Sequence, residues 1–267
     1  MIMRKTTRKT SRMFSVAACL MLALSVLFLN SGTAQAAGDY VPAPKQEWSF
    51  SGMFGTYDRG ALQRGLKVYQ NVCAACHGMK FLSYRNLEAL GYNENQIKNI
   101  AAQYMVTDGP NDEGEMFERP AIPSDRFVSP YPNDKAAAFA NNGAMPPDLS
   151  LITKARMNGS NYLYALLTGY EDPPEDVVLL DGQYWNKYFP GHILAMANPL
   201  MDGMIVYEDE SPQTVEQYAK DLTYFLTWAA DPHMEDRKRI GIRVILFLIV
   251  FAGIMYAYKR KIWAALH

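Results

Sequence analysis

The chain has 267 residues and a formal net charge of −1, a length that fits one large domain or two ordinary ones. The near-neutral total hides an asymmetry. Between Gly38 and Glu235 there are 14 lysines and arginines against 26 acidic residues, a net of −12 that argues against nucleic acid as a partner and favours a cationic one.

The first predicted element is a targeting segment. Arg4, Lys5, Arg8, Lys9 and Arg12 precede an apolar stretch from Phe14 to Leu29, followed by Ala34-Gln35-Ala36. That order reads as a secretory signal peptide over residues 1–36, which exports residues 37–236. Val16-Ala17-Ala18-Cys19 resembles a lipidation box, but the apolar run continues ten residues past Cys19. The signal peptide removes Cys19 and leaves Cys73 and Cys76 as the cysteines of the mature chain.

The next element is a helix capped by Asp58 and running through Tyr69, with Leu62, Leu66 and Tyr69 on one face. Directly after it comes Cys73-Ala74-Ala75-Cys76-His77, the C-x-x-C-H pattern of c-type haem attachment. Two thiols three positions apart on one turn each add to a haem vinyl group, and the adjacent imidazole reaches the iron as proximal ligand. A zinc site needs two further ligands, and no second cysteine pair exists. A thioredoxin-like pair expects a preceding strand, whereas this motif follows an amphipathic helix.

Residues 108–150 and 170–212 are dense in Pro, Gly, Asn and Asp, which excludes long helices and regular strands there. So loop-rich a domain needs something besides regular elements to organise its core, and a large, flat apolar cofactor would do that. The sixth iron ligand lies within these loops. His267 is beyond the apolar C-terminal stretch and His233 borders it, while His192 stays in contention. Methionine is the usual partner where a high potential is wanted, and Met145 and Met196 are equally placed by chemistry alone.

Thr214-Val215-Glu216-Gln217 reads as a capping box. It opens a helix with Val215, Leu222, Phe225 and Leu226 inward that ends near Asp231-Pro232. A second apolar segment, Ile240 to Tyr258, is interrupted only by Arg243 and spans ~28 Å as a helix, enough to cross a bilayer. Tyr256, Tyr258 and Trp263 suit the far interface. Flanking charges balance, so the signal peptide sets the orientation: a transmembrane anchor over 237–260 and a cytoplasmic tail over 261–267.

These motifs together resemble the cytochrome c1 family, the haem subunit of the quinol–cytochrome c reductase (cytochrome bc1) complex. The resemblance runs from Arg64-Gly65 through His77 to Asp108-Gly109-Pro110-Asn111 and Gly114-Glu115-Met116-Phe117. It continues through Asn141-Asn142-Gly143-Ala144, Pro146-Pro147-Asp148-Leu149-Ser150, Leu166-Leu167-Thr168-Gly169-Tyr170, Tyr188-Phe189-Pro190-Gly191 and the segment from Asp231 to Arg239. It implies that Met196 is the axial methionine, so that His77 and Met196 are the metal ligands. It further implies that Arg156 contacts a haem propionate, that Tyr162 lies nearby, and that Pro146 and Pro147 line the haem pocket. Some bacterial relatives carry an extra cysteine pair near the methionine, which this chain lacks.

The expected fold is all-α: a cytochrome c-like haem domain with long loops, plus one C-terminal transmembrane helix. One covalently attached haem c is the expected cofactor. The implied partners are a cytochrome b subunit, a Rieske iron–sulfur subunit as electron donor and a soluble cytochrome c as acceptor, within a dimeric complex. The implied location is a bacterial inner membrane, single-pass, with the haem domain periplasmic. Another anchored monohaem carrier, or a haem-based ligand sensor with an open sixth site, are the rival readings.

Overall fold

A computed structural model of the chain describes residues 41–264. The expected signal peptide, and His267 of the expected tail, lie outside the described residues. The described chain is helical, with two short antiparallel ladders.

The core is a crossing of two helices. Helix α1 spans Arg59–Asn71, and Asp58 accepts from the Ala61 amide at 3.1 Å as its N-cap. Leu62, Leu66 and Tyr69 are buried on one face, as the spacing of four and three demands, and Val68 is buried off that stripe. Much further along the chain comes the helix Val215–Ala230, labelled α5 below, which presents Leu222, Phe225, Leu226 and Trp228 to the same core. Gly65 makes the close approach feasible: a Cβ there would lie 2.1 Å from the Asp221 carbonyl oxygen of the partner helix. Beside this contact the Arg64 guanidinium grips the fully buried Asp221 carboxylate at 2.9 and 3.0 Å.

The intervening chain wraps this pair. A 3₁₀ segment, Tyr84–Leu90, packs on α2 (Glu94–Ala101), whose N-cap Asn93 forms a reciprocal box with Gln96. Strands β1 (Met105–Asp108) and β2 (Phe117–Pro120) pair antiparallel. Helix α3 (Asp134–Ala140) follows, then α4 (Gly159–Thr168), which rests on α5 through the Ser160 and Thr227 hydroxyls at 2.9 Å. Strands β3 (Tyr184–Trp185) and β4 (Ile193–Leu194) form the second ladder.

Two expectations are corrected here. The proline-rich stretches do hold regular strands, although short ones. Pro120 is tolerated because it ends a two-stranded ribbon, where a missing amide donor costs no ladder bond. The capping box at Thr214 is half formed: Thr214 Oγ1 accepts from the Gln217 amide at 3.4 Å, but the Gln217 side chain donates to Asp221 at 3.0 Å instead of turning back. The charge-assisted bond from the Gln217 side-chain N–H to a buried carboxylate holds that side chain away from the Thr214 amide.

Helix α6 (Met234–Trp263) starts three residues after the Asp231 cap of α5. Among the described residues it is the one helix long and apolar enough to cross a membrane, with a mean hydropathy of 2.4 over its most apolar stretch. Its apolar side chains from Val244 onward, Phe247 and Ile249 among them, are exposed along the helix surface. At ~1.5 Å per residue it reaches ~45 Å, longer than a hydrocarbon core.

Candidate haem site

The attachment motif starts where α1 stops. The α1 cap at Val72 is followed by a 3₁₀ turn over Cys73–Ala75, and the amides of Cys76 and His77 both donate to the Cys73 carbonyl, at 3.1 and 2.8 Å. The turn places both cysteines on one short arc. They are not bonded to each other, and both are half-buried. Burial pushes the Cys73 thiol up to about 12, with the neighbouring Cys76 adding to it, so it stays protonated. The Tyr69 hydroxyl donates to the His77 carbonyl at 3.1 Å and ties the motif to the core face of α1.

His77 is oriented from across the chain. Its Nδ1 lies 2.7 Å from the Pro147 carbonyl oxygen. A carbonyl only accepts, so Nδ1 carries the proton and Nε2 keeps its lone pair. Burial holds the imidazole below its ordinary pKa, against the opposing pull of the Pro147 bond and the Asp148 charge, and so favours the neutral ring. The same turn is stitched to the residues after the motif. The Lys80 amide donates to Asp148 at 2.8 Å, the Phe81 amide to Ser150 Oγ at 3.1 Å, and the Leu149 amide to the Gly78 carbonyl at 2.9 Å.

Met196 follows β4 on a loop fastened at several points. The Tyr170 hydroxyl donates to the Met196 carbonyl at 3.0 Å. The side-chain amide of the buried Asn186 donates to the Leu166 carbonyl at 2.7 Å, and its oxygen accepts from the Tyr188 and Phe189 amides. Met196 is half-buried, whereas Met145 is 53% exposed. His192 has its ring stacked on Trp185 at 4.9 Å and its Nδ1 3.2 Å from the Asn186 carbonyl.

The remaining candidates are spread around these two segments. Pro146 is half-buried and Pro147 exposed on the turn that holds His77. Arg156 is exposed between Thr153 and α4 and donates to the Ala155 carbonyl at 3.1 Å. Tyr162 is buried on α4 in a small cluster with Ala43 and Ala165, flanked by Leu166 and Tyr188. Asn186 carries no motif signal in the sequence. Tyr170 and Asp148 lie inside the family motifs, which give them no role of their own.

The donor set fits a thioether-linked haem. Two unbonded thiols stand beside an imidazole whose Nδ1 is fixed by a carbonyl and whose Nε2 keeps its lone pair. A zinc site is a poorer match, since among the described residues no three His, Cys, Asp or Glu side chains gather as a ligand set.

Comparison with known proteins agrees with this chemistry. A family model described as the Cytochrome C1 family matches residues 48–266. Cytochrome c1 of Rhodospirillum rubrum is 46% identical, over 91% of this chain and 95% of that protein. Cytochrome c1-2, heme protein, mitochondrial, of Solanum tuberosum is 50% identical over 90% of this chain and 92% of its own length. Cytochrome b/c1 of Bradyrhizobium diazoefficiens is 50% identical over 94% of this chain, which spans 40% of that longer protein.

Proposed function

The chain belongs to the cytochrome c1 family, and from that membership we propose that it is the membrane-anchored haem subunit of a quinol–cytochrome c reductase. It binds one haem c and serves electron transport in a respiratory chain. The haem supplies a one-electron carrier whose iron passes between ferrous and ferric states. The protein's part is to hold, orient and shield that carrier. Cys73 and Cys76 would hold it through thioethers, and His77 and Met196 would ligate its iron. Arg156 would neutralise a propionate, Tyr162 would lie close by, and Pro146 and Pro147 would line the pocket.

Electrons arrive from a Rieske iron–sulfur subunit and leave to a soluble cytochrome c, with a cytochrome b subunit beside the anchor in a dimeric complex. Residues 37–236 form the exported haem domain on the periplasmic side of a bacterial inner membrane. Residues 237–260 cross that membrane, and 261–267 are cytoplasmic. The observation that carries the reading is the His77 imidazole, aimed by the Pro147 carbonyl beside two unbonded thiols. The test is purification of the chain from its own membranes in mild detergent. It should co-migrate with a cytochrome b and an iron–sulfur protein, and added quinol should reduce its haem. Migration with a terminal oxidase alone would instead make it another anchored carrier. Ready binding of carbon monoxide to the reduced haem would point to a sensor.

A further inference from the structure

The loop between Ser49 and Thr56 is a closed structure whose tip stands exposed among the described residues. Its base is shut by the Thr56 amide donating to the Ser49 carbonyl at 3.0 Å and Ser49 Oγ donating to the Thr56 carbonyl at 2.8 Å. Phe50 roots it in the core, stacked on Trp48 at 5.5 Å and edge-on to Tyr224 at 5.3 Å. At the tip, Gly52 takes a positive φ of 73° and Met53 and Phe54 stand 62% and 80% exposed. Two adjacent large apolar side chains held out on a fastened turn are unlike scattered surface residues.

The same loop is tied to the start of α6. Lys238 Nζ donates to the Phe50 carbonyl at 2.6 Å and the Gly55 carbonyl at 3.0 Å, one on each flank of the tip. Glu235 accepts from the Tyr57 amide at 2.7 Å, and Met234 is buried in the haem domain's core. The apolar run begins at Ile240, two residues past Lys238 and so only ~3 Å further along the helix axis. The two flanks of the loop are thus fastened to α6 two residues before it turns apolar.

Charge at this base differs from the rest of the domain. Arg59, Lys154, Arg237, Lys238 and Arg239 face Asp231, Glu235 and Asp236 here, five cations against three carboxylates. Elsewhere the acidic residues dominate. The base suits an anionic phospholipid surface that the remainder of the domain would avoid.

We propose that the Gly52–Gly55 loop is a second membrane contact, in which Met53 and Phe54 enter the headgroup–acyl boundary of the bilayer while Lys238 fixes their depth beside the anchor. The loop then helps to set the height and tilt of the haem domain over the lipid surface. This rests on the reading of α6 as a membrane anchor.

The test uses the full-length, haem-loaded chain in liposomes of phosphatidylcholine and phosphatidylglycerol. Nitroxide labels are attached at Met53→Cys, at Phe54→Cys, at Val250→Cys within α6 and at Val178→Cys, an 86% exposed site in an acidic loop. Relaxation by dissolved oxygen is then compared with relaxation by a water-soluble nickel chelate. Labels at 53 and 54 should favour oxygen, as the label at 250 does, while the label at 178 favours nickel. Labels at 53 and 54 that behave like 178, or that are shielded from both agents, overturn the loop proposal and leave the anchor standing. A label at 250 that favours nickel overturns the anchor, and the loop proposal with it.

Discussion

The Nδ1 atom of His77 lies 2.7 Å from the carbonyl oxygen of Pro147, seventy residues further along the chain. A backbone acceptor at that distance fixes both the tautomer and the ring plane of the proposed proximal ligand. The proposed methionine ligand, Met196, is held through its main chain, whose carbonyl accepts from the Tyr170 hydroxyl at 3.0 Å. Replacing Met196 by Leu keeps side-chain volume and should leave the fold largely intact. The thioether-to-iron charge-transfer band of the oxidised protein should disappear, the potential should fall, and the reduced form should bind carbon monoxide. Met145→Leu, at an exposed position, should change none of the three. Sensitivity at Met145 instead would overturn the ligand assignment.

The Arg64–Asp221 pair is the most buried ionic contact in the α1–α5 crossing, with side chains 18% and 1% exposed. Arg64→Met removes both donors and leaves Asp221 with Gln217 as its side-chain partner. Breaking such a pair from one side should cost ~3–5 kcal/mol, read as a lower denaturation midpoint. The double variant Arg64→Met with Asp221→Leu should recover much of the loss, because no unpaired charge then remains in the core. A double variant no more stable than the single one would mean that the pair holds the crossing by geometry rather than by mutual charge compensation.

Asp231 caps α5 and accepts from Lys154 at 2.9 Å and from Arg237. Burial disfavours its charge, but those two bonds outweigh the burial and hold the carboxyl below its ordinary pKa. A depressed carboxyl contributes stability above its unfolded value of about 4, and the contribution is lost as pH falls through the folded value. The melting temperature should therefore drop on acidification below about pH 4. In Asp231→Asn it should start lower at neutral pH and fall less steeply in acid. Parallel curves for the two proteins would place the acid sensitivity elsewhere.

The acidic clusters are not equivalent once folded. Lys67 and Arg64 already engage Glu208 and Asp209, whereas Glu171, Asp172, Glu175 and Asp176 are exposed on a loop. Electron transfer to a basic soluble cytochrome should slow with added salt as the Debye length shrinks from ~10 Å at ~0.1 M to ~3 Å at ~1 M. Converting the four loop residues to their amides should flatten that dependence more than the same change at 208 and 209. Equal slopes for the two variants, measured under association-limited conditions, would exclude the loop as the steering surface.

Local pattern carries much of this protein. Cys73, Cys76 and His77 are legible because attachment chemistry demands adjacent residues on one turn. The buried faces of α1 and α5 follow from helical periodicity, and the α6 span from nineteen nearly uninterrupted apolar residues. The resemblance gives Pro146 and Pro147 as a turn lining the haem pocket. Tertiary structure alone decided what that turn does for His77, because the group reaching the ring is a main-chain carbonyl, which every residue possesses. The same holds for the Met196 carbonyl under Tyr170 and for the Phe50 and Gly55 carbonyls gripped by Lys238. Gln217 shows the converse, a side chain with a clear local signature drawn away by a buried carboxylate that the fold supplies. Sequence determines which residues bear the chemistry, since that depends on side-chain identity at short spacing. The orientation of His77 is set by the Pro147 carbonyl and the Met196 main chain is held by the Tyr170 hydroxyl, and only folding brings these groups to 2.7 and 3.0 Å.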